Sequence, residues 1–330
     1  MEVINPTPYV MDRGVIFDRK GNETLVVMIK GTFSFSQGQS QLAEEQLPIN
    51  WEDQYAGDPT TSGIYLPTDM LPTRPSTGIT LKGHAIAPQP NTRRMEVGIR
   101  VGNLQQLAVV MGDRIGYGAI DSPATFDRIA LCWENAFGGC DTSHDNAKHH
   151  EALPSNPVGK GFMARNSKLS ASDIALPNIE HPSRLLRNAG ERPAAVGFAP
   201  VAPVWEQRRQ YAGTYDENWE TQRAPLLPDD FDDRFLQCAP PELTAQGYLE
   251  GTEECVLLGM SEEGRLGFPL AADRAPTIGV RMGTTGTRSK PKLEAIHFDT
   301  DERTYTVLWK SMINVQGKVE QIQNIEARIL

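Results

Sequence analysis

The chain has 330 residues, enough to bury a sizeable core, and its 22% charged and 39% hydrophobic residues describe a folded globular protein rather than a disordered one. A formal net charge of -10 and a pI near 5.2 repel phosphate backbones and anionic lipid, which argues against nucleic acid and membrane surfaces as partners. The opening Met1 to Pro6 has no basic region leading into a long apolar stretch, the longest apolar runs (Leu25–Ile29 and Leu107–Met111) are strand-sized, and four scattered cysteines suit a reducing interior, so a cytoplasmic protein is expected.

Residues 1–135 read as antiparallel β-structure. From Leu25 the odd positions Leu25, Val27, Ile29, Gly31, Phe33 and Phe35 are apolar or Gly while Lys30, Thr32 and Ser34 face the other way, which predicts a half-buried strand. The alternation returns at 79–85 and 95–101, and Gly102-Asn103 predicts a two-residue hairpin turn. Residues 136–245 differ: they hold 11 of the 24 prolines, and neither period persists. Short helical turns are expected near Glu217–Arg223 and Asp229–Leu236, and the many aromatics predict irregular structure packed down on the sheets. Residues 246–318 return to β, with a hairpin between 293–298 and 304–309. Here 278–283 echoes 97–102 by placing Gly, Arg and Gly in the same register. In the tail, 319–330, the spacing of Val319, Ile322, Ile325 and Ile329 predicts one face of a short amphipathic helix. The expected fold is therefore mainly β, antiparallel sheets in a sandwich or barrel-like arrangement, with a long irregular middle, few short helices and one integrated domain.

No constellation for chemistry rises above its ordinary structural reading. His144 to Glu151, with Cys140 nearby, has metal-ligating residue types but no rigid ligand spacing, so a solvated loop is expected and no metal or cofactor is assigned. Gly159-Lys160-Gly161 lacks the rest of a phosphate loop, and a G-x-S-x-G elbow is missing. The acidic cluster of Asp216, Glu217, Glu220 and 229–233 leaves two alternatives open, a β-rich hydrolase using those carboxylates or a carbohydrate-binding domain.

Several motifs in order carry a resemblance. They include Asn5-Pro6-Thr7-Pro8-Tyr9, Trp133-Glu134-Asn135-Ala136-Phe137-Gly138-Gly139, Asn156-Pro157-Val158-Gly159-Lys160-Gly161-Phe162 and Leu176-Pro177-Asn178. Gly213-Thr214-Tyr215-Asp216-Glu217-Asn218-Trp219 follows, continuing through Arg223-Ala224-Pro225-Leu226-Leu227-Pro228 to Ala239-Pro240-Pro241. With these the chain resembles, along almost its whole length, the family called domain of unknown function 2169. The resemblance implies an adaptor or chaperone of type VI secretion, not an enzyme. Such a protein binds a secreted effector and couples it to the valine-glycine-repeat spike or its PAAR-type tip. Two departures stand out: no pentapeptide repeats follow, and Asn135 occupies a position where relatives often carry Arg. Interface chemistry favours exposed aromatics and Arg, so the partner-binding candidates are Phe137, Phe162, Trp205, Tyr215, Asp216, Trp219, Arg223, Phe231 and Phe235.

Overall fold

A computed structural model describes residues 1–117, 123–315 and 317–329. The chain is mainly β; its described residues build three larger sheets and several two-stranded pieces, with no closed barrel among them. The main sheet runs in the order Val10–Phe17, Glu23–Ser36, Thr304–Asn314, Lys292–Asp299 and Gly78–Lys82, with Gln39–Leu42 also on Glu23–Ser36. Its pairs are antiparallel except that Gly78–Lys82 lies parallel to Lys292–Asp299. A second sheet orders Ile179–Glu180, Leu104–Met111, Arg94–Val101, Glu254–Leu258 and Arg265–Pro269. A third contains Glu2–Ile4, Ile322–Arg328, Thr277–Met282 and Thr285–Ser289. Each of these sheets draws strands from both sides of the irregular middle segment.

The three sheets share one hydrophobic core. The odd face of Glu23–Ser36 gives it Leu25, Val27, Ile29, Phe33 and Phe35, the second sheet Val97, Ile99, Leu257 and Phe268, and the third Ile278, Val280 and Ile325. Phe35 and Phe268 stack at 4.4 Å between centroids, joining the first two sheets through an offset aromatic pair. The expected hairpins are present: Val101 pairs with Leu104 around Gly102, whose φ of 55° suits the turn, and Phe298 pairs with Tyr305. The sequence echo is also a hairpin, since Met282 pairs with Thr285 around Gly283, again at φ 55°.

Two expectations are corrected. Glu23–Ser36 is buried on both faces, because residues 43–77 cross its even face. Val26 and Met28 pack with Ile49 and Leu308, and Lys30, only 3% exposed, donates to Asp69 at 2.8 Å. A buried Lys persists where a carboxylate and a carbonyl, here Pro48 O at 3.1 Å, satisfy its ammonium. Deeper under the same strap Lys310 and Glu294 form a fully buried pair at 3.1 Å, and Lys310 also donates to Leu71 O.

The tail is a strand, not a helix. Ile322–Arg328 pairs parallel with Glu2–Ile4 and antiparallel with Thr277–Met282. A bulge opposite Arg281 and Met282 inserts one extra residue, so Ile322 and Ile325 reach the same face across three positions, and Ala327 follows at the normal two. That displaced spacing is what imitates a helical period.

The middle segment is packed down over the sheets. Trp133, Phe198, Val201, Trp205 and Leu243 all enter the shared core. Two of the recognised motifs meet at Asn156, which is fully buried and donates its amide to Trp133 O at 2.9 Å and Phe137 O at 3.0 Å. Gly138 lies at φ 156° with Asn156 O so close that a Cβ would sit 2.1 Å from it. Any side chain there would force the two strips of backbone apart. Gly159-Lys160-Gly161 belongs to this junction, with Lys160 and Gly161 pairing parallel to Phe137 and Gly138. The turn is structural.

Candidate functional site

The expected helical turns are found in the stretch 211–236, where they build a compact lobe. Asp216 caps the helix Glu217–Gln222 by accepting from Trp219 N at 2.8 Å, and Asp232 caps the 3-10 turn Asp233–Leu236 by accepting from Arg234 N. Gly213 at φ 81° lets the chain turn so that Thr214 donates its N–H and hydroxyl to the two oxygens of Asp230, at 2.9 and 2.7 Å. Trp219 Nε1 donates to Leu226 O at 2.8 Å and Arg223 Nε to Leu227 O at 2.9 Å, tying the helix to the chain that follows it.

Arginines and aromatics then alternate over the lobe. Tyr215 meets Trp219 edge-on at 4.7 Å, Arg234 lies 4.2 Å above Tyr211, and Arg208 lies 5.2 Å above Phe235. The turn at 18–22 completes the surface from the far end of the sequence. Arg223 donates to Arg19 O at 2.6 Å, while Arg19 pairs with Asp233 at 2.7 Å and covers Phe231 at 5.2 Å. That turn ends the outer strand of the main sheet, Val10–Phe17, on which Phe17 is 65% exposed.

Of the nine candidates, Tyr215, Asp216, Trp219, Arg223, Phe231 and Phe235 come together here. Phe231 lies inside the lobe as its packing base, with Phe235 edge-on to it at 5.5 Å. Phe137, Phe162 and Trp205 lie elsewhere and are buried, so they offer a partner no surface. Phe137 packs with Leu176 and Leu186, Phe162 lies under Arg192, and Trp205 meets Trp133 edge-on. The expectation of exposed anchors at Phe137, Phe162, Trp205 and Phe231 is therefore corrected: a turn-rich segment without periodicity conceals which aromatics point inward. Arg19 and Arg234 belong to the surface although the sequence pattern does not mark them. Arg19 is 204 residues from its contact with Arg223, and no local signal could connect the two.

The acidic cluster has structural employment. Asp230 is held below the usual carboxylate range by the Thr214 N–H and hydroxyl, and Asp232 by its bonds with Arg234. A general acid needs the opposite shift. The His144–Glu151 loop holds a solvated 3-10 turn, Ala147–His149, capped by Asn146, with His144 half-buried and the rest exposed. Among the described residues no group of three or more His, Cys, Asp or Glu is arranged to hold a metal. Cys238 and Cys255 are buried and Cys132 half-buried. Burial is the first cause that pushes the Cys132 thiol up to about 12 and raises Cys255 as well, so neither forms a thiolate nucleophile near neutral pH. No helix among the described residues is long and apolar enough to cross a membrane.

A mainly β scaffold with an irregular, arginine- and aromatic-faced lobe is the class of protein this geometry defines. The chain belongs to the bacterial family described as "Uncharacterized protein conserved in bacteria (DUF2169)", which matches residues 20–310. No curated protein and no solved structure matches it.

Proposed function

We propose that this chain is a protein-binding adaptor or chaperone of type VI secretion, holding an effector and coupling it to the valine-glycine-repeat spike or PAAR tip, with its work done in the cytoplasm. The observation that carries the binding role is the braced lobe at 211–236. Its arginines are already bonded to backbone carbonyls and carboxylates, so docking immobilises few further rotamers. Tyr, Trp and Arg are the residue types that dominate interface energetics. The secretion role rests on the family resemblance alone.

The test is co-expression of the full chain with the effector and spike proteins encoded beside it, followed by measurement of the purified complex. Tyr215→Ala removes an exposed ring that meets only Trp219 among the aromatics, and should weaken binding about tenfold or more while leaving the melting temperature unchanged. A chain that stays unbound with all of these neighbours, or a Tyr215→Ala variant that binds each as tightly as the parent, would overturn the reading.

A further inference from the structure

A cavity of about 550 Å³ lies between the even face of the main sheet and the strap that crosses it, within the size range of small-molecule sites. Its floor is a polar lattice made by strand register. Thr32 is paired with Thr306, Thr306 with His297, and His297 with Thr80, giving one row across four strands. One step along, Ser34, Thr304, Asp299 and Lys82 form a second row; of the two rows Thr32, Thr306, His297, Thr304, Asp299 and Lys82 line the cavity, and Thr80 and Ser34 end the rows beside it. A sheet face covered by its own chain ordinarily carries apolar residues; the neighbouring stretch of this one does, at Val26, Met28 and Leu308. The first of these rows lies under the strap and departs from that rule, whereas the second runs out to the exposed Lys82.

The floor's hydrogen-bonding capacity is only partly used within the chain. The Thr32 hydroxyl accepts from Leu47 N at 2.9 Å, leaving its proton to give, and His297 Nδ1 is 2.8 Å from the Thr80 hydroxyl, leaving the other ring nitrogen. Thr306, though 8% exposed, has no partner for its hydroxyl among the described residues and faces the cavity. Facing the cavity in this way, the hydroxyl is free to bond water or a ligand that displaces it.

Charge and shape narrow the ligand. Lys30 is paired with Asp69 at 2.8 Å and Lys82 with Asp299 at 2.9 Å, so neither cation of the lining is left to recognise an anion. Two further carboxylates, Glu45 and Glu302, stand at the exposed rim, where they can accept from hydroxyl groups. The walls are Leu47, Ile49 and Leu66 with the Tyr65 ring, an apolar surface suited to the carbon–hydrogen face of a sugar ring.

We propose that this cavity binds a small, neutral, hydroxyl-rich molecule of the saccharide class, seated on the hydroxyls of Thr32, Thr304 and Thr306 and on His297. The site is separate from the lobe at 211–236 and does not depend on the adaptor reading.

The test is saturation-transfer NMR on the full chain with glucose, maltose and N-acetylglucosamine, each titrated to about 10 mM, alongside arginine and inorganic phosphate. At least one saccharide should bind saturably. Thr306→Val, which keeps the side-chain shape and removes only the hydroxyl, should weaken it about tenfold, and His297→Asn should weaken it too. Both variants should keep the parent's far-ultraviolet circular dichroism and any complex with a protein partner. Silence from all three saccharides, binding unchanged in both variants, or saturable binding of arginine or phosphate alone would each overturn the proposal. Loss of partner binding in Tyr215→Ala with saccharide binding intact would leave it standing, which separates its failure from that of the adaptor reading.

Discussion

Replacing His297 with Gln should flatten part of the protein's stability profile between pH 7.5 and 5. Burial is the first cause that lowers the His297 pKa to about 4, and the Lys30 ammonium adds to it, with Lys82 acting the same way and Asp299 and Asp69 opposing. In the unfolded chain the ring titrates near 6.5. A depressed pKa contributes stability that is fully present above 6.5 and lost as pH falls toward 4, because protons then favour the unfolded chain. At pH 5 the unfolded ring is already mostly protonated and the folded one mostly neutral, which makes the loss up to about 2 kcal/mol at 1.36 kcal/mol per pH unit. The assay is urea unfolding of the parent and His297→Gln at pH 7.5, 6.5, 5.5 and 5.0, with stability extrapolated to water. The parent should lose up to about 2 kcal/mol more than the variant across that range. Parallel profiles would refute the account of a neutral imidazole held beside the buried Lys30 ammonium.

Lys310→Met should cost about 3–5 kcal/mol by stranding the buried Glu294 carboxylate, and adding Glu294→Gln should recover part of it, as measured by a double-mutant cycle in urea. Asn156→Ala should cost about 2–4 kcal/mol, since it leaves Trp133 O and Phe137 O without their buried donor, and equilibrium unfolding reads it directly. Gly138→Ala should be at least as damaging, with loss of soluble protein on expression as its sign, because the new Cβ collides with backbone rather than with a side chain that can move. Ile325→Ala should cost about 2–4 kcal/mol as a core cavity, whereas the same change at Ile329, 38% exposed, should cost less than about 1 kcal/mol in the same unfolding assay.

The strands of this protein were legible in its sequence wherever one pair of faces dictated the pattern. Leu25 to Phe35 and Met95 to Val101 alternate because their odd positions enter the shared core. The second covering of Glu23–Ser36 was not legible, because a Lys in a strand reads as solvent-facing until its carboxylate partner, 39 residues on, is placed beside it. The tail misled for a geometric reason: one bulge residue changes a period of two into a step of three. Caps were readable, since Asp216 and Asp232 precede their turns by the local chemistry that caps require. The candidate surface was half readable. Tyr215 and Trp219 are neighbours on one short helix and its cap, but the Arg19 that braces the lobe arrives through tertiary structure. The polar rows beneath the strap were invisible, because Thr32 and Thr306 are brought together only by strand pairing.

The central pair of the main sheet joins Glu23–Ser36 to Thr304–Asn314, so the first strand leaves the ribosome 268 residues (304 minus 36) before its principal neighbour. At about 10 residues per second that delay is about half a minute, during which Leu25, Val27, Ile29, Phe33 and Phe35 have no central strand to lie against. Folding is therefore largely post-translational. Loss of the last few dozen residues would remove the middle of the main sheet and part of the third, leaving no intact core at the N-terminal side.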